Sequence, residues 1–287
     1  MISAADQLRE LLKRPGLLIM PGCYDAMSAK LVQAAGFEVV FMSGFCVSGA
    51  RLAMPDTGLI SYHEMVDQGR NICNAVSIPV IGDGDTGFGN ALNVKRTVQG
   101  YADAGFACIM IEDQVAPKRC GHTRGKTVVP REEALMRLQA AVDARNEGAD
   151  ILIMARTDAR ATDGLEEGIA RARAFTELGA DITFLEAPTS EEEMSECCRS
   201  VPGPKMANLI EDGRTPLLPP AKLEAIGYKI AVYPLTLLNA SIRAMQESLH
   251  SLRRGSTPER LLSFDQLKDT VGFNSYYAGE ERYATER

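Results

Sequence analysis

Eight short apolar runs, each followed by a polar turn and a helical stretch, set the strongest constraint on how this chain can fold. The runs cover residues 17–20, 39–42, 78–81, 107–111, 151–155, 182–185, 206–207 and 230–232. Buried parallel strands read as continuous apolar runs, so this alternation predicts a parallel α/β sheet. Eight units predict closure into a (β/α)₈ TIM barrel, and a doubly wound open sheet is the alternative.

The helical stretches indicate where the barrel begins and ends. Several end in a glycine before the next run, as helix C-termini prefer: Gly36, Gly105, Gly148, Gly179 and Gly227. An amphipathic helix over 235–254 completes the eighth unit, so residues 1–255 are predicted to form the barrel. Residues 256–287 are rich in aromatic side chains, and we expect this C-terminal helical tail to pack on a partner subunit; packing on its own chain is the alternative.

Composition excludes several classes of protein. The chain has 287 residues, 45% of them hydrophobic, and a net charge of −7, which argues against a nucleic-acid or anionic-membrane surface. No apolar run approaches the ~18 residues of a membrane span, and residues 1–6 lack the features of a signal peptide. The seven cysteines are scattered and odd in number, which favours reduced thiols and a cytoplasmic location.

Polar residues fall at or just past the end of nearly every apolar run. They are Ser43, Asp83, Asp85, Glu112, Arg156, Glu186 and Asn208. In a barrel the C-terminal ends of all strands open on one face, where active sites are built. One such residue could be a helix cap or a turn, but the whole set predicts a single active site.

The segment 82–87 matches the pattern G-x-G-x-x-G, which in other contexts binds dinucleotides. Asp83 and Asp85 stand inside this loop, and their charges would repel a pyrophosphate. Glycines around alternating aspartates instead predict a site for a hard divalent cation such as Mg²⁺, with Asp56 and Glu112 contributing through water. The alternative interpretation is that the aspartates cap surface turns.

A basic loop follows the fourth run and carries a thiol. Lys118 and Arg119 precede Cys120, and His122 follows it, so nearby positive charge is expected to lower the pKa of the thiol and allow proton transfer. A solvated loop with an incidental cysteine is the alternative. Arg156 is predicted to bind a substrate carboxylate, or else to pair with Glu186.

The segments 82–90, 112–114 (Glu-Asp-Gln) and 118–122 (Lys-Arg-Cys-Gly-His) together resemble the isocitrate lyase/phosphoenolpyruvate mutase superfamily. The resemblance covers residues 15 to 255 and includes the motifs at 155–158, 186–188 and 208–216. The Cys-Gly-His element is similar to the carbon–carbon lyase branch, which includes 2-methylisocitrate lyase, 2,3-dimethylmalate lyase, oxaloacetate hydrolase and the petal death protein.

The resemblance implies a (β/α)₈ barrel, Mg²⁺ or Mn²⁺, and a homotetramer whose C-terminal helices swap between subunits. It also implies a mobile loop that closes over a small dicarboxylate. By this resemblance Asp83 and Asp85 hold the metal, and Cys120 is the acid/base group, assisted in catalysis by Lys118, His122 and Arg156. The substrate site is lined by Ser43, Gly44, Phe45, Gly121, Arg156, Glu186 and Asn208.

Some positions depart from the methylisocitrate lyases. Phe41 stands where a tyrosine is expected, and Asn239 and the segment 265–270 lack expected arginines. Fewer cations favour a dicarboxylate of the alkyl-substituted malate type, cleaved at a C–C bond to a 2-oxo acid and a carboxylate. Pro234 brings no hydroxyl to the pocket, which argues weakly against a hydrolase. Methylisocitrate or oxaloacetate as substrate, a phosphonopyruvate mutase or hydrolase, and a non-catalytic scaffold are the alternatives.

Overall fold

The computed structural model describes residues 2–123 and 125–284, and within them eight strands alternate with helices. The strands are β1 (Leu18–Cys23), β2 (Val40–Met42), β3 (Val80–Asp83), β4 (Cys108–Glu112), β5 (Leu152–Thr157), β6 (Ile182–Leu185), β7 (Met206–Asn208) and β8 (Ile230–Tyr233). The helices are α1 (Ala4–Lys13), α2 (Ala26–Ala34), α3 (Gly44–Leu52), α4 (Tyr62–Ala75), α5 (Ala91–Ala104), α6 (Arg131–Asn146), α7 (Ala159–Thr162), α8 (Leu165–Leu178), α9 (Glu191–Ser200), α10 (Pro220–Ile226), α11 (Thr236–Arg253), α12 (Phe264–Val271) and α13 (Phe273–Tyr283).

The strands follow one another around a nearly closed ring. Their order is β6-β5-β4-β3-β2-β1-β8-β7, and every neighbouring pair is parallel. An isolated parallel bridge between Thr183 of β6 and Lys205, just before β7, joins the two ends. The predicted (β/α)₈ barrel is therefore confirmed, and the doubly wound alternative is wrong because strand order never reverses.

The strands extend further toward their C-terminal ends than the apolar runs do. β3 includes Asp83, β4 includes Glu112, β5 includes Arg156 and β7 includes Asn208. Glu112 and Arg156 are register partners in the parallel ladder between β4 and β5. The ladder hydrogen bonds therefore fix the backbone of these polar residues, which is why their side chains converge at the barrel mouth.

Alternating side chains fill the barrel interior. One buried cluster takes residues from all eight strands, including Met20, Phe41, Met110 and Phe184. Leu8 of α1 packs into the same cluster beside the first residues of the strands, which closes the N-terminal end of the barrel. A second cluster lies between the strands and the surrounding helices. The interior is thus apolar up to the polar mouth at the C-terminal ends of the strands.

The chain divides into two compact units, Met1–Leu238 and Asn239–Arg287. The second unit holds most of α11 together with α12 and α13, and neither α12 nor α13 contains a buried residue. The end of the predicted tail, 285–287, lies outside the described residues. In the described part of the chain, no helix has both the length and the apolar composition needed to cross a membrane.

Candidate active site

A cavity opens at the C-terminal ends of the strands and contains most of the predicted site residues. Its lining includes Ser43, Phe45, Asp56, Asp83, Lys118, Cys120, Gly121, His122, Arg156, Glu186 and Asn208. The three remaining predicted residues contact this lining. The Gly44 amide donates to Asp83, Asp85 pairs with Lys118, and Glu112 pairs with Arg156. All the predicted residues therefore lie at one mouth.

One part of the mouth, which we call the metal side, consists of Asp56, Asp83, Asp85 and Lys118. The backbone N–H of Gly44 lies 3.2 Å from Asp83 Oδ2, and a Cβ added at Gly44 would come within 2.5 Å of the same oxygen. The backbone N–H of Asp85 donates to Asp83 Oδ1 at 3.0 Å, with Asp85 itself in the left-handed region at a φ of 48°. These contacts fix the direction of the Asp83 carboxylate.

Lys118 bridges the acids of the metal side. Its Nζ lies 2.6 Å from Asp56 and 2.8 Å from Asp85 Oδ1, and all three side chains are about 5% exposed. Burial would lower the pKa of Lys118, but the surrounding carboxylates outweigh burial and raise that pKa well above its usual value. Burial raises the pKa of Asp85 to about 7; Lys118 opposes this rise, and Asp83 and Asp56 add to it.

The carboxylates at the metal side provide oxygen ligands of the kind a divalent cation binds. Within residues 2–123 and 125–284, no three acidic, thiol or imidazole groups converge as a ready-made cage. Glu112 Oε1 is nevertheless buried without a hydrogen-bond partner, and burial raises the pKa of Glu112 well above its usual range. An excess of buried carboxylate oxygens over donors fits Mg²⁺, which keeps several water ligands.

The opposite part of the mouth, which we call the lid side, consists of His122, Lys126, Arg156, Asp158 and Glu186. Arg156 Nε lies 2.8 Å from Asp158 Oδ2 and 3.2 Å from Glu112 Oε2, and Arg156 Nη2 lies 3.5 Å from Glu186 Oε2. Burial would raise the pKa of Asp158, but Arg156 and Lys126 outweigh burial and lower it to about 2. The ion pair of Arg156 with Glu186 is thus present in the structure.

Glu186 is held from two further directions. The Asn208 amide Nδ2 lies 3.3 Å and 3.2 Å from the two carboxylate oxygens, and His122 Nε2 lies 2.8 Å from Oε1. His122 Nδ1 accepts the backbone N–H of Arg214 at 3.0 Å, so a neutral His122 carries its proton on Nε2. Burial would raise the pKa of Glu186, but Arg156 and His122 lower it, and Glu186 stays ionised.

The predicted basic loop is part of a folded segment, residues 114–123 and 125–128, that we call the lid. An antiparallel bridge joins Gln114 to Val128, and the Gln114 amide both donates to and accepts from the backbone of Arg119. A Cβ on Gly121 would lie 2.5 Å from Arg156 Nη2 and 2.6 Å from Glu186 Cδ. Glycine at this position therefore lets the lid lie directly against the lid side.

The environment of Cys120 corrects one expectation. The prediction that the loop cations lower the pKa of this thiol is wrong, because burial raises it. A backbone N–H and Arg156 lower the pKa by less than burial raises it, and the charges of Asp56 and Glu186 raise it further. Lys118 gives little help because its charge is committed to acids of the metal side. The Cys120 thiol therefore keeps its proton at neutral pH and is suited to donate it.

Sequence reasoning missed three buried charged groups of the mouth: Asp113, Lys126 and Asp158. Asp113 accepts the backbone N–H of Asp158 at 2.9 Å, and Asp158 in turn pairs with Lys126 at 2.7 Å. Asp113 and Asp158 stand one and two residues beyond Glu112 and Arg156, so their position past a strand end was the available signal. Of the apolar lining residues, sequence reasoning considered Phe41 and Pro234 but not the six others: Met110, Phe184, Met206, Ile210, Val232 and Leu235.

Comparison with known proteins places the chain among enzymes. Residues 8–253 match the family described as phosphoenolpyruvate phosphomutase. The chain is 43% identical to 2,3-dimethylmalate lyase of Eubacterium barkeri over 100% of both chains. It is 42% identical to the chloroplastic carboxyvinyl-carboxyphosphonate phosphorylmutase of Arabidopsis thaliana, covering 98% of this chain and 85% of that one. A structure of oxaloacetate acetylhydrolase with 3,3-difluorooxalacetate superposes with a TM-score of 0.95 at 34% identity, covering 99% and 98%.

Proposed function

Because the chain belongs to the phosphoenolpyruvate mutase/isocitrate lyase superfamily, we propose that it is a divalent-metal-dependent carbon–carbon lyase. The substrate is a 2-hydroxy dicarboxylate of the alkyl-substituted malate type, and the products are a 2-oxo acid and a carboxylate. One observation carries the proposal: the thiol of the lid and the carboxylates of the metal side face the same cavity, which Cys120 and Asp83 both line.

The metal side is the proposed cation site. Members of the superfamily depend on a divalent metal, and here Asp83 and Asp85 would hold Mg²⁺ or Mn²⁺, with Asp56 and Glu112 acting through water. When bound, the ion supplies a Lewis acid and a template for the substrate carboxylate and its neighbouring oxygen. Lys118 stays protonated and Phe41 has no hydroxyl, so neither serves as the base for the substrate hydroxyl.

The lid side stabilises the negative charge that develops on the leaving fragment. The substrate hydroxyl loses its proton to water, the oxygen electron pair forms the C=O bond of the 2-oxo acid, and the C–C bond breaks. The electron pair of that bond goes to the carbon next to the leaving carboxylate, where Arg156 and the Nε2–H of His122 are placed to stabilise the charge. Cys120 then gives its proton to the carbon. The raised pKa of Cys120 keeps that proton available at neutral pH.

The cavity wall favours a small substrate with an alkyl group. The cationic side chains of its lining are already paired, Lys118 with Asp56 and Arg156 with Asp158. A third substrate carboxylate would therefore meet the apolar part of the lining, where burying an unpaired charge is costly. An alkyl substituent gains from the same surface.

A substrate panel tests the proposal. Purified protein is incubated with 2,3-dimethylmalate, 2-methylisocitrate, oxaloacetate and phosphonopyruvate, with Mg²⁺ or with EDTA, and products are identified by mass spectrometry. We expect Mg²⁺-dependent cleavage of the alkylmalate to dominate. Turnover of phosphonopyruvate alone would establish a phosphonate enzyme, and no turnover of any compound would establish a scaffold.

Oxaloacetate hydrolysis is the second candidate, since the superposed oxaloacetate acetylhydrolase supports it. In the panel, this candidate requires oxalate and acetate from oxaloacetate at a rate above that of alkylmalate cleavage. The phosphorylmutase among the relatives supports phosphonate chemistry, but a thiol acid at Cys120 has no part in phosphoryl transfer.

Substitution of the thiol separates its chemistry from metal binding. Cys120→Ser should lower kcat by about 10²- to 10⁴-fold, because a serine hydroxyl is a much weaker acid. Mg²⁺ binding, measured by calorimetry, should be unchanged, since Cys120 is not among the proposed ligands. Cys46→Ser is the matched control, a buried cysteine whose thiol donates to the carbonyl of Pro234. Near-wild-type turnover in Cys120→Ser would refute the role of this residue.

We further propose a homotetramer with swapped C-terminal helices in a cytoplasmic protein. The unit 239–287 exposes many large apolar side chains for its size: Ile242, Met245, Leu249, Leu252, Leu261, Leu262, Phe264, Leu267, Val271, Phe273, Tyr276, Tyr277 and Tyr283. Such a surface calls for a partner. All seven cysteines are free thiols, as a reducing compartment allows. Light scattering of the wild type and of Phe264→Ser should give a tetramer and a smaller species, respectively.

A further inference from the structure

The lid contains a second buried lysine, Lys126, which the proposed reaction does not use. Its side chain is 3% exposed, and its amine donates to the carbonyl of Gly121 at 2.5 Å and to Asp158 Oδ1 at 2.7 Å. Burying an ammonium group is unfavourable unless the group is well paired. Because Gly121 directly follows Cys120, this amine holds the main chain next to the thiol.

The acceptor Asp158 is fixed to the barrel. Its backbone N–H donates to Asp113 Oδ1 at 2.9 Å, and Asp113 also receives the hydroxyl of Thr157 at 2.6 Å. Since Asp113 directly follows β4 and Thr157 ends β5, these bonds tie Asp158 to two paired strands. Lys126 therefore fastens the lid to a rigid part of the barrel.

Asp158 is also the nearest carboxylate to Arg156. It accepts Arg156 Nε at 2.8 Å through Oδ2 and Arg156 Nη2 at 3.2 Å through Oδ1, the oxygen that also accepts Lys126. Arg156 thus shares this carboxylate with Lys126. Without the lysine, the full charge of Asp158 would act on Arg156 and draw the guanidinium away from Glu186 and the cavity.

We propose that Lys126 is a positioning residue, whose amine clamps the Gly121 carbonyl to Asp158 and thereby sets both Cys120 and Arg156 for the reaction. The expected effect of Lys126 on turnover rests on the proposed lyase function. Its effect on the lid is independent of that function. The clamp acts through geometry, so Lys126 need not touch the substrate.

The test compares Lys126→Met with Lys205→Met in the full-length, Mg²⁺-supplemented protein. Lys205 is a matched control, because it is a buried lysine whose amine donates to the carbonyls of Val201 and Gly203 at the N-terminal end of β7. One readout is kcat on the substrate cleaved in the panel. The other is the alkylation rate of Cys120 by iodoacetamide, followed by peptide mass spectrometry. It reports opening of the lid without any turnover.

We expect Lys126→Met to lower kcat about 10²-fold by misplacing reacting groups. We also expect it to raise the alkylation rate of Cys120 about tenfold through local opening. Lys205→Met should change neither beyond about twofold. If Lys126→Met does not fold, Lys126→Gln, whose shorter amide cannot span both acceptors, should give the same pattern.

The two hypotheses fail in different ways. An unchanged alkylation rate, or an equal rise in the Lys205→Met protein, overturns the clamp whether or not a substrate is found. Unchanged kcat in a Lys126→Met enzyme that cleaves its substrate overturns the clamp and leaves the lyase function standing. A wild-type protein that cleaves nothing overturns the lyase function, while the alkylation comparison still decides the clamp.

Discussion

The two sides of the barrel mouth are equally buried but differ in charge balance. On the metal side three aspartates surround Lys118, and burial raises the pKa of Asp85 to about 7 despite that lysine. On the lid side Arg156 and Lys126 outweigh burial and hold the pKa of Asp158 at about 2. The same low dielectric thus gives opposite protonation tendencies.

This difference teaches that counter-charges decide whether a buried carboxylate is ionised. The lid side is complete in its own side chains and can serve as a fixed framework for the lid. The metal side carries more negative charge than its lysine neutralises, so it is the side that gains from an added cation. Three substitutions, each altering the charge on one side, probe this comparison.

The largest effect is expected on the metal side. Asp85→Asn removes one proposed ligand charge, so kcat should fall about 10³-fold, a loss of several kcal/mol of transition-state stabilisation. The rise in Tm on adding Mg²⁺, measured by scanning calorimetry, should disappear as well. Asp103→Asn, at an exposed position of α5, is the control and should keep both properties. An intact Mg²⁺-dependent Tm shift in Asp85→Asn would assign the cation to another site.

An intermediate effect is expected on the lid side, where the free energy of unfolding should depend on pH through the ionisation of Asp158. The pKa of Asp158 is lowered from 3.8 to about 2, so its ionised form stabilises the fold above about pH 4, and this contribution is lost as pH falls toward 2. Asp158→Asn should therefore cost about 2 kcal/mol at pH 7, measured by urea unfolding, and progressively less between pH 4 and pH 2. A difference between variant and wild type that does not vary with pH would contradict this account.

The smallest effect is expected from adding a negative charge to the lid side, which gives it an excess of carboxylates like that of the metal side. Asn208→Asp replaces an amide that donates to Glu186 with a second carboxylate, so a dicarboxylate substrate meets added negative charge. We expect KM to rise about tenfold, equivalent to about 1.4 kcal/mol. Asn208→Ala removes the same hydrogen bonds without adding charge and should raise KM less. Equal effects of the two variants would show that charge balance is not the cause.

The sequence predicted the barrel and the contents of its mouth for one geometric reason. Parallel strands of a barrel present their C-terminal ends on one face, so Asp83, Glu112 and Arg156 had to meet once their strands were recognised. The pattern of apolar runs gave strand positions to within two or three residues, since the strands continue past the runs into residues such as Pro21 and Gly22 in β1 and Thr157 in β5.

The electrostatics of the site could not be read in the same way. Lys118 is two residues from Cys120 in sequence, yet its amine pairs with Asp56, which lies 62 residues earlier. The pairing of Lys126 with Asp158 likewise spans 32 residues. Such pairs depend on how loops from different strand ends pack and on side-chain rotamers, and neither has a local signature in the sequence.

The junction between β6 and β7 is the weakest strand pairing in the barrel, so it is where the ring of strands would open first. In the described residues, β6 and β7 are connected by the isolated bridge between Thr183 and Lys205. Every other pair of neighbouring strands has at least two residue pairs in its ladder. A cut there leaves the other seven strand junctions in one continuous sheet. A single backbone cut between residues 187 and 190, before α9, should therefore leave the other seven junctions formed.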